Sequence, residues 1–165
     1  MEQQFISAST HFLHWNLERI ERCLAELTEE EVWHRPGERS NSVAIQLLHL
    51  TGNIRQWIMS GIAGQPDGRQ RAAEFAPSSV RQRKAQLLAA LKQTVAAAVA
   101  AIENSTAATL AVERPVQAYV HDGVFIVLHV VEHMSYHTGQ IIFWTKQLRD
   151  KDLQFYVGDD LDRTN

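Results

Sequence analysis

Apolar residues recur at helical spacing in four long stretches of the chain. From about Phe5 to Leu27, Ile6 is followed seven residues on by Leu13, and then Leu17, Ile20, Leu24 and Leu27 come at steps of four and three, the mark of an amphipathic helix. Thr28-Glu29-Glu30-Glu31 reads as a capping box opening one short turn that ends near Trp33, and Pro36-Gly37 breaks the chain after it. Ser40 or Asn41 is then the expected cap of a second long helix, whose stripe is Val43, Leu47, Leu50, Ile54 and Trp57. Beside that stripe runs a polar one, Gln46, His49, Asn53 and Gln56. Periodicity alone leaves open whether the polar line faces solvent or the bundle interior. A third helix is expected from a cap at Ser78 or Ser79 to about Asn104, with Val80, Leu87, Leu91, Val95 and Ile102 buried and many alanines allowing close approach. Asp122 caps a fourth, from Gly123 to about Arg149, which is apolar on nearly every side and is therefore expected to be buried all round.

The connections are long. Residues Gly61 to Pro77 exceed a tight helix–helix turn and are expected to cover one end of a pocket or to cross the bundle. The arginine-rich run from Arg69 to Lys84, interrupted by Glu74, reads as a solvated loop and helix start. Val112 to Val120 has an extended character, with Pro115 opposing helix, and suggests a short strand pair or flap. Residues 150–165 form a polar, acidic tail, expected to be mobile or to lie along a partner subunit. The whole, residues 1–165, is one all-α domain, a four-helix bundle with long inter-helix connections.

With 165 residues, 45% hydrophobic and 21% charged, the chain is long enough for a single buried core. A net charge of -3 without a basic face argues against nucleic-acid binding. The one cysteine, Cys23, allows neither an intramolecular disulfide nor a thiolate metal cage, and is expected to fill core space. Met1-Glu2-Gln3-Gln4 lacks the basic and apolar regions of a signal peptide, and no apolar run reaches membrane-spanning length. A cytoplasmic protein without a membrane partner is the expectation.

The candidate chemistry lies in histidines. His129, His133 and His137 are spaced by four on the fourth helix, so all three rings lie on one face. Spacing does not decide which neighbouring pair would bind an ion. A third donor has to come from elsewhere, and His49 on the polar stripe is the candidate. Three imidazoles leaving one position open describe a catalytic metal site rather than a closed structural one. Burying imidazoles without partners is costly, and a shared cation would supply one partner for each ring. His11 and His14 on the first helix read as surface or helix-packing residues. The Glu-x-x-His pairs of a di-iron bundle, phosphate loops, serine elbows and Cys-x-x-Cys motifs do not occur. No general base stands beside the candidate ligands.

His49-Leu50-Thr51-Gly52-Asn53 with Gln56-Trp57, and His133-Met134-Ser135-Tyr136-His137-Thr138-Gly139-Gln140-Ile141-Ile142, resemble the two signatures of the DinB-like superfamily of metal proteins. Val32-Trp33-His34-Arg35-Pro36-Gly37 through Ser40-Asn41-Ser42 resembles one uncharacterised branch of it. The resemblance covers nearly the whole chain. It implies a dimeric four-helix bundle holding a divalent ion, zinc or nickel, through His49, His133 and His137. His129 would then support the pair or pack beside it. The resemblance further implies a transferase that uses a low-molecular-weight thiol on a small-molecule electrophile; Asn53 and Gln140, one turn from ligands on their own helices, are the residues expected to orient the bound group. A metal-dependent hydrolase and a non-enzymatic metal-binding protein are the alternatives.

Overall fold

The computed structural model describes residues 1–76 and 81–164. In chain order the elements are α1 (Glu2–Glu26), α2 (Glu29–Trp33), α3 (Val43–Ile54) continued by a π-helical turn (Arg55–Ser60), α4 (Arg71–Phe75), α5 (Lys84–Glu103), α6 (Ala107–Leu110), β1 (Arg114–Val116), β2 (Tyr119–His121) and α7 (Gly123–Arg149). The four long helices close a ring in which α1 packs on α7 and α5, and α3 packs on α5 and α7. This is the all-α four-helix bundle expected from the sequence.

Local chemistry sets the helix starts. The Thr28 hydroxyl accepts from the Glu31 amide at 3.2 Å while the Glu31 carboxylate accepts from the Thr28 amide at 2.8 Å, completing the capping box. Glu31 also takes Arg149 from the end of α7 at 2.9 Å; that guanidinium, with the Thr28 amide, pulls the Glu31 carboxyl down to about 2. One side chain thus caps α2 and ties it to the last turn of the bundle. Asp122 accepts from the Phe125 amide at 2.8 Å and caps α7. The cap of α3 is Ser42, accepting from Ile45 at 3.2 Å, rather than Ser40 or Asn41; the chain stays extended at Ser42 and only then turns helical. The expected cap at Ser78 or Ser79, and Val80, lie outside the described residues.

The core is the set of stripes read from the sequence. Leu13, Ile20, Leu47, Leu50, Leu91, Ile102 and Ile126 are fully buried, each contributing about 2 kcal/mol of transfer free energy. Cys23 is buried among them. By length and composition α5 would be apolar enough to cross a membrane, contrary to the expectation that no segment would be; here it packs in the bundle against α1 and α3. The extended stretch is a two-stranded antiparallel hairpin pairing Arg114 with His121 and Val116 with Tyr119. Its turn is held by Trp57 Nε1–H, which donates to Gln117 Oε1 at 3.3 Å.

Two expectations are corrected. The fourth helix is not buried all round: Val124, Phe125, Leu128 and Phe143 are exposed, because α1, α3 with its π turn, and α6 cover only part of its circumference. The first part of the tail, residues 153–155, is anchored on its own chain rather than mobile. Leu153 is buried, Arg22 of α1 donates to the carbonyls of Leu153 and Gln154, and the Arg19 guanidinium lies 5.2 Å from the Phe155 ring.

Candidate metal centre

The polar stripe of α3 faces inward. Gln46, His49, Asn53 and Gln56 are all buried. Across from it α7 presents His129, His133 and His137. His49 meets His133 and Asn53 meets His129, so the two helices run antiparallel at the contact. One ring nitrogen from each of His49, His133 and His137 lies within 4.8 Å of the others, a group that could hold a metal ion. His49 Nε2 and His133 Nε2 are 3.0 Å apart. Two nitrogens bound tetrahedrally to zinc at 2.0–2.1 Å are separated by about 3.3 Å, so small side-chain adjustments suffice. The three rings are set steeply to one another, in T-shaped pairs at interplanar angles of 68°, 76° and 81°.

The outer nitrogens have their own partners. His137 Nδ1 lies 2.9 Å from Gln140 Oε1; an amide oxygen only accepts, so this nitrogen carries the proton and Nε2 is left free. His49 Nδ1 lies 2.8 Å from Glu74 Oε2. Partners of this kind orient imidazoles around metals. Burial lowers the pKa of all three rings, and for His133 desolvation, helped by the neighbouring His137, His49, His129 and Arg69, brings it to about 3. The rings are therefore neutral at physiological pH, the form that binds a cation. His129 lies outside this group. It packs at a tilt against Trp57, with ring centroids 3.9 Å apart, and Asn53 Nδ2 approaches its Nε2 at 3.5 Å. The buried oxygens Gln46 Oε1 and Asn53 Oδ1 find no protein partner among the described residues. His11 and His14 are exposed surface residues.

Sequence reading expected the connection between α3 and α5 to cover a pocket or cross the bundle but took its charged side chains as solvated. The run beginning at Arg69 is not a solvated loop at the site. The Arg69 and Glu74 side chains are only 4% and 10% exposed. Arg69 Nε donates to Glu74 Oε1 at 2.7 Å and Nη2 to Oε2 at 2.9 Å, while Nη1 donates to Gln56 Oε1 at 2.9 Å. Gln56 Nε2 in turn donates to Asp67 Oδ2 at 2.7 Å, and Asp67 Oδ1 accepts from the Arg69 amide at 3.0 Å; the Gln56 bond leads in holding the Asp67 carboxyl below its usual range. Residues 67–74 thus form a strap over the polar stripe. Its one sequence signal was an acidic residue inside a basic run. A carboxylate does stand beside a candidate ligand, but Arg69 engages both of its oxygens. A cavity of about 810 Å³ adjoins the strap, lined by Gln56, Asp67, Arg69, Glu74 and Thr94 but by none of the three histidines.

A four-helix bundle with long connections and three convergent histidines on an antiparallel helix pair defines a protein of the DinB-like fold. Solved structures agree with that fold. A conserved protein from Enterococcus faecalis superposes with a TM-score of 0.72 at 16% identity, covering 88% of this chain and 97% of its own. A DinB-like protein from Bacillus cereus gives 0.65 at 16% identity, covering 82% and 87%, and one from Bacillus subtilis 0.64 at 15%, covering 90% and 94%. The chain belongs to the family of proteins of unknown function DUF1572, which matches residues 1–157. No curated protein matches it.

Proposed function

We propose that the protein is a metal-dependent transferase that uses a low-molecular-weight thiol to modify a small electrophile in the cytoplasm. The observation that carries this reading is the convergence of three neutral imidazoles with their outer nitrogens already engaged at His49 and His137. His49, His133 and His137 would hold a divalent ion, and imidazole donors suit zinc and nickel. Such an ion, when bound, depresses the pKa of a thiol or water at its open position. His133 is only partly buried, which leaves the site reachable from one side of α7. Asn53 Oδ1 is buried without a protein partner among the described residues, which supports reading Asn53 as a group that would orient a protonated ligand. Gln140 is committed to His137 and acts through that ring.

Hydrolysis is the second reading, since the same site would activate water. It needs a carboxylate free to move a proton, and Glu74 is fixed by Arg69 on both oxygens, which favours thiol transfer. Metal-loaded protein assayed with chloro-dinitrobenzene and a panel of thiols tests the proposal. Product formation that requires both thiol and metal is the expected result. Turnover without thiol would favour the hydrolase. No turnover with any thiol or hydrolysable ester would favour a non-enzymatic metal-binding protein.

A further inference from the structure

The strap over α3 carries two charged side chains that are almost wholly buried, and neither is a candidate ligand. We infer that Glu74 is a positioning residue for the metal centre: its carboxylate fixes the His49 imidazole in the Nδ1–H form, with Arg69 holding the carboxylate and Gly52 leaving the space in which it sits. The inference rests on the reading of the three histidines as a metal site.

Hydrogen-bond bookkeeping assigns the tautomer. Glu74 Oε2 and Arg69 Nη2 both approach His49 Nδ1, at 2.8 and 3.2 Å. An ionised carboxylate only accepts and a guanidinium only donates, so a single protonation form of Nδ1 satisfies one of them. Arg69 Nη2 already donates to Glu74 at 2.9 Å, and Glu74 offers His49 the shorter contact. The proton therefore belongs on Nδ1, and Nε2, which faces His133 at 3.0 Å, keeps its lone pair for a cation. The opposite tautomer would point an N–H into the centre and set two acceptors, the Nδ1 lone pair and Glu74 Oε2, against each other at 2.8 Å.

The position of Glu74 depends on a residue that touches no ligand. A Cβ added to Gly52 would lie 2.2 Å from Glu74 Oε1 and 3.0 Å from Arg69 Nε. Gly52 lies near the end of α3 but inside the helix that the π turn continues, where glycine weakens a helix relative to alanine. Here the missing side chain is the seat of the carboxylate. The rest of the strap is registered on the same helix through Gln56, which bonds both Arg69 and Asp67. The path from Asp67 through Gln56, Arg69 and Glu74 to His49 is continuous, so the strap is part of the centre and not only its cover.

The test uses the full chain, with side-chain ¹⁵N NMR of histidine in the metal-free protein and Zn²⁺ affinity by chelator competition. Metal-free wild type is expected to show His49 as the Nδ1–H tautomer. Glu74→Ala is expected to lose that preference and to weaken Zn²⁺ binding about 10–100-fold. Glu74→Gln, whose amide oxygen still accepts from Nδ1–H, should restore the tautomer and part of the affinity. Gly52→Ala should lower affinity as Glu74→Ala does, although alanine is the better helix former. A wild-type His49 in the Nε2–H form, or a folded Glu74→Ala protein binding Zn²⁺ within two-fold of wild type, would overturn the inference. Wild type that binds no Zn²⁺ but shows the Nδ1–H tautomer lost in Glu74→Ala would sink the metal reading while leaving the assignment of Glu74 to His49 standing.

Discussion

His49 Nε2 and His133 Nε2 lie 3.0 Å apart although their residues are 84 positions apart in sequence. No ladder on one helix could supply that contact. It requires α3 and α7 to run antiparallel with one specific register, and the same register brings His137 into the group. Removing one ring from three should therefore cost a full ligand's share of affinity. Dividing the roughly 10–16 kcal/mol of a four-ligand zinc site evenly gives roughly 60- to 700-fold per ligand. We expect His49→Ala to purify without its equivalent of metal and His129→Ala to keep it, as read by elemental analysis after dialysis. A His49→Ala protein retaining one equivalent would show that another group is the third donor.

An ion held by α3 and α7 binds the folded state only, so it stabilises by mass action. At free ion 100-fold above Kd the gain is about 2.7 kcal/mol, which for a chain of this size is about 5–10 °C in Tm. Chelator treatment should lower Tm by that order. An unchanged melting curve, after elemental analysis has verified that the metal is gone, would contradict the placement of the site between two helices.

Acid should destabilise the metal-free protein through the same rings. The folded-state pKa of His133 is about 3, against 6.5 for the unreacted side chain, chiefly through desolvation. His49 and His137 are shifted in the same direction, again with desolvation leading. Below 6.5 the unfolded chain takes up protons that the folded chain refuses, so stability is fully present above 6.5 and is lost as pH falls toward about 3. Urea midpoints of metal-free wild type and His133→Asn, followed from neutral pH downward, isolate the effect from carboxylate titration. The wild type should lose stability more steeply between pH 6.5 and pH 5 than the variant; parallel curves would refute the assignment.

The parts of this molecule that were legible in the sequence are those set by period and cap. Val43, Leu47, Leu50, Ile54 and Trp57 are all buried, and Asp122 caps α7 where its sequence context indicated. Periodicity could place His49 beside the core stripe but could not turn it inward; that was decided by α7 packing opposite. The strap was not legible because its logic is tertiary. Arg69 and Glu74 look solvated in a run of arginines, and become buried only because each satisfies the other and both close on α3. α4 was missed for the same reason: five residues, Arg71–Phe75, are too few to show a period. The reading of α7 as buried all round failed because an apolar circumference indicates that something should cover it without saying that the same chain does.

What covers α7 is the remaining question, and its exposed side has an order of its own. Phe125, Leu128, Glu132, Tyr136, Gly139 and Phe143 succeed one another at steps of three and four, all exposed, so they form one stripe along the helix. Leu128 and Phe143 are 56% and 64% exposed, and nothing stands within 4 Å of a Cβ placed on Gly139, so a second helix could approach closely there. A large apolar stripe on a monomer marks an interaction surface, and the commonest self-complementary solution is a two-fold pairing of the same surface. We propose that two copies pair through α7. Light scattering coupled to size exclusion is expected to give a dimer for wild type and a monomer for Leu128→Glu and Phe143→Glu. Both variants should still take up metal, because neither residue belongs to the stripe that carries His133 and His137. A monomeric wild type, or variants that remain dimeric, would require another cover for this face.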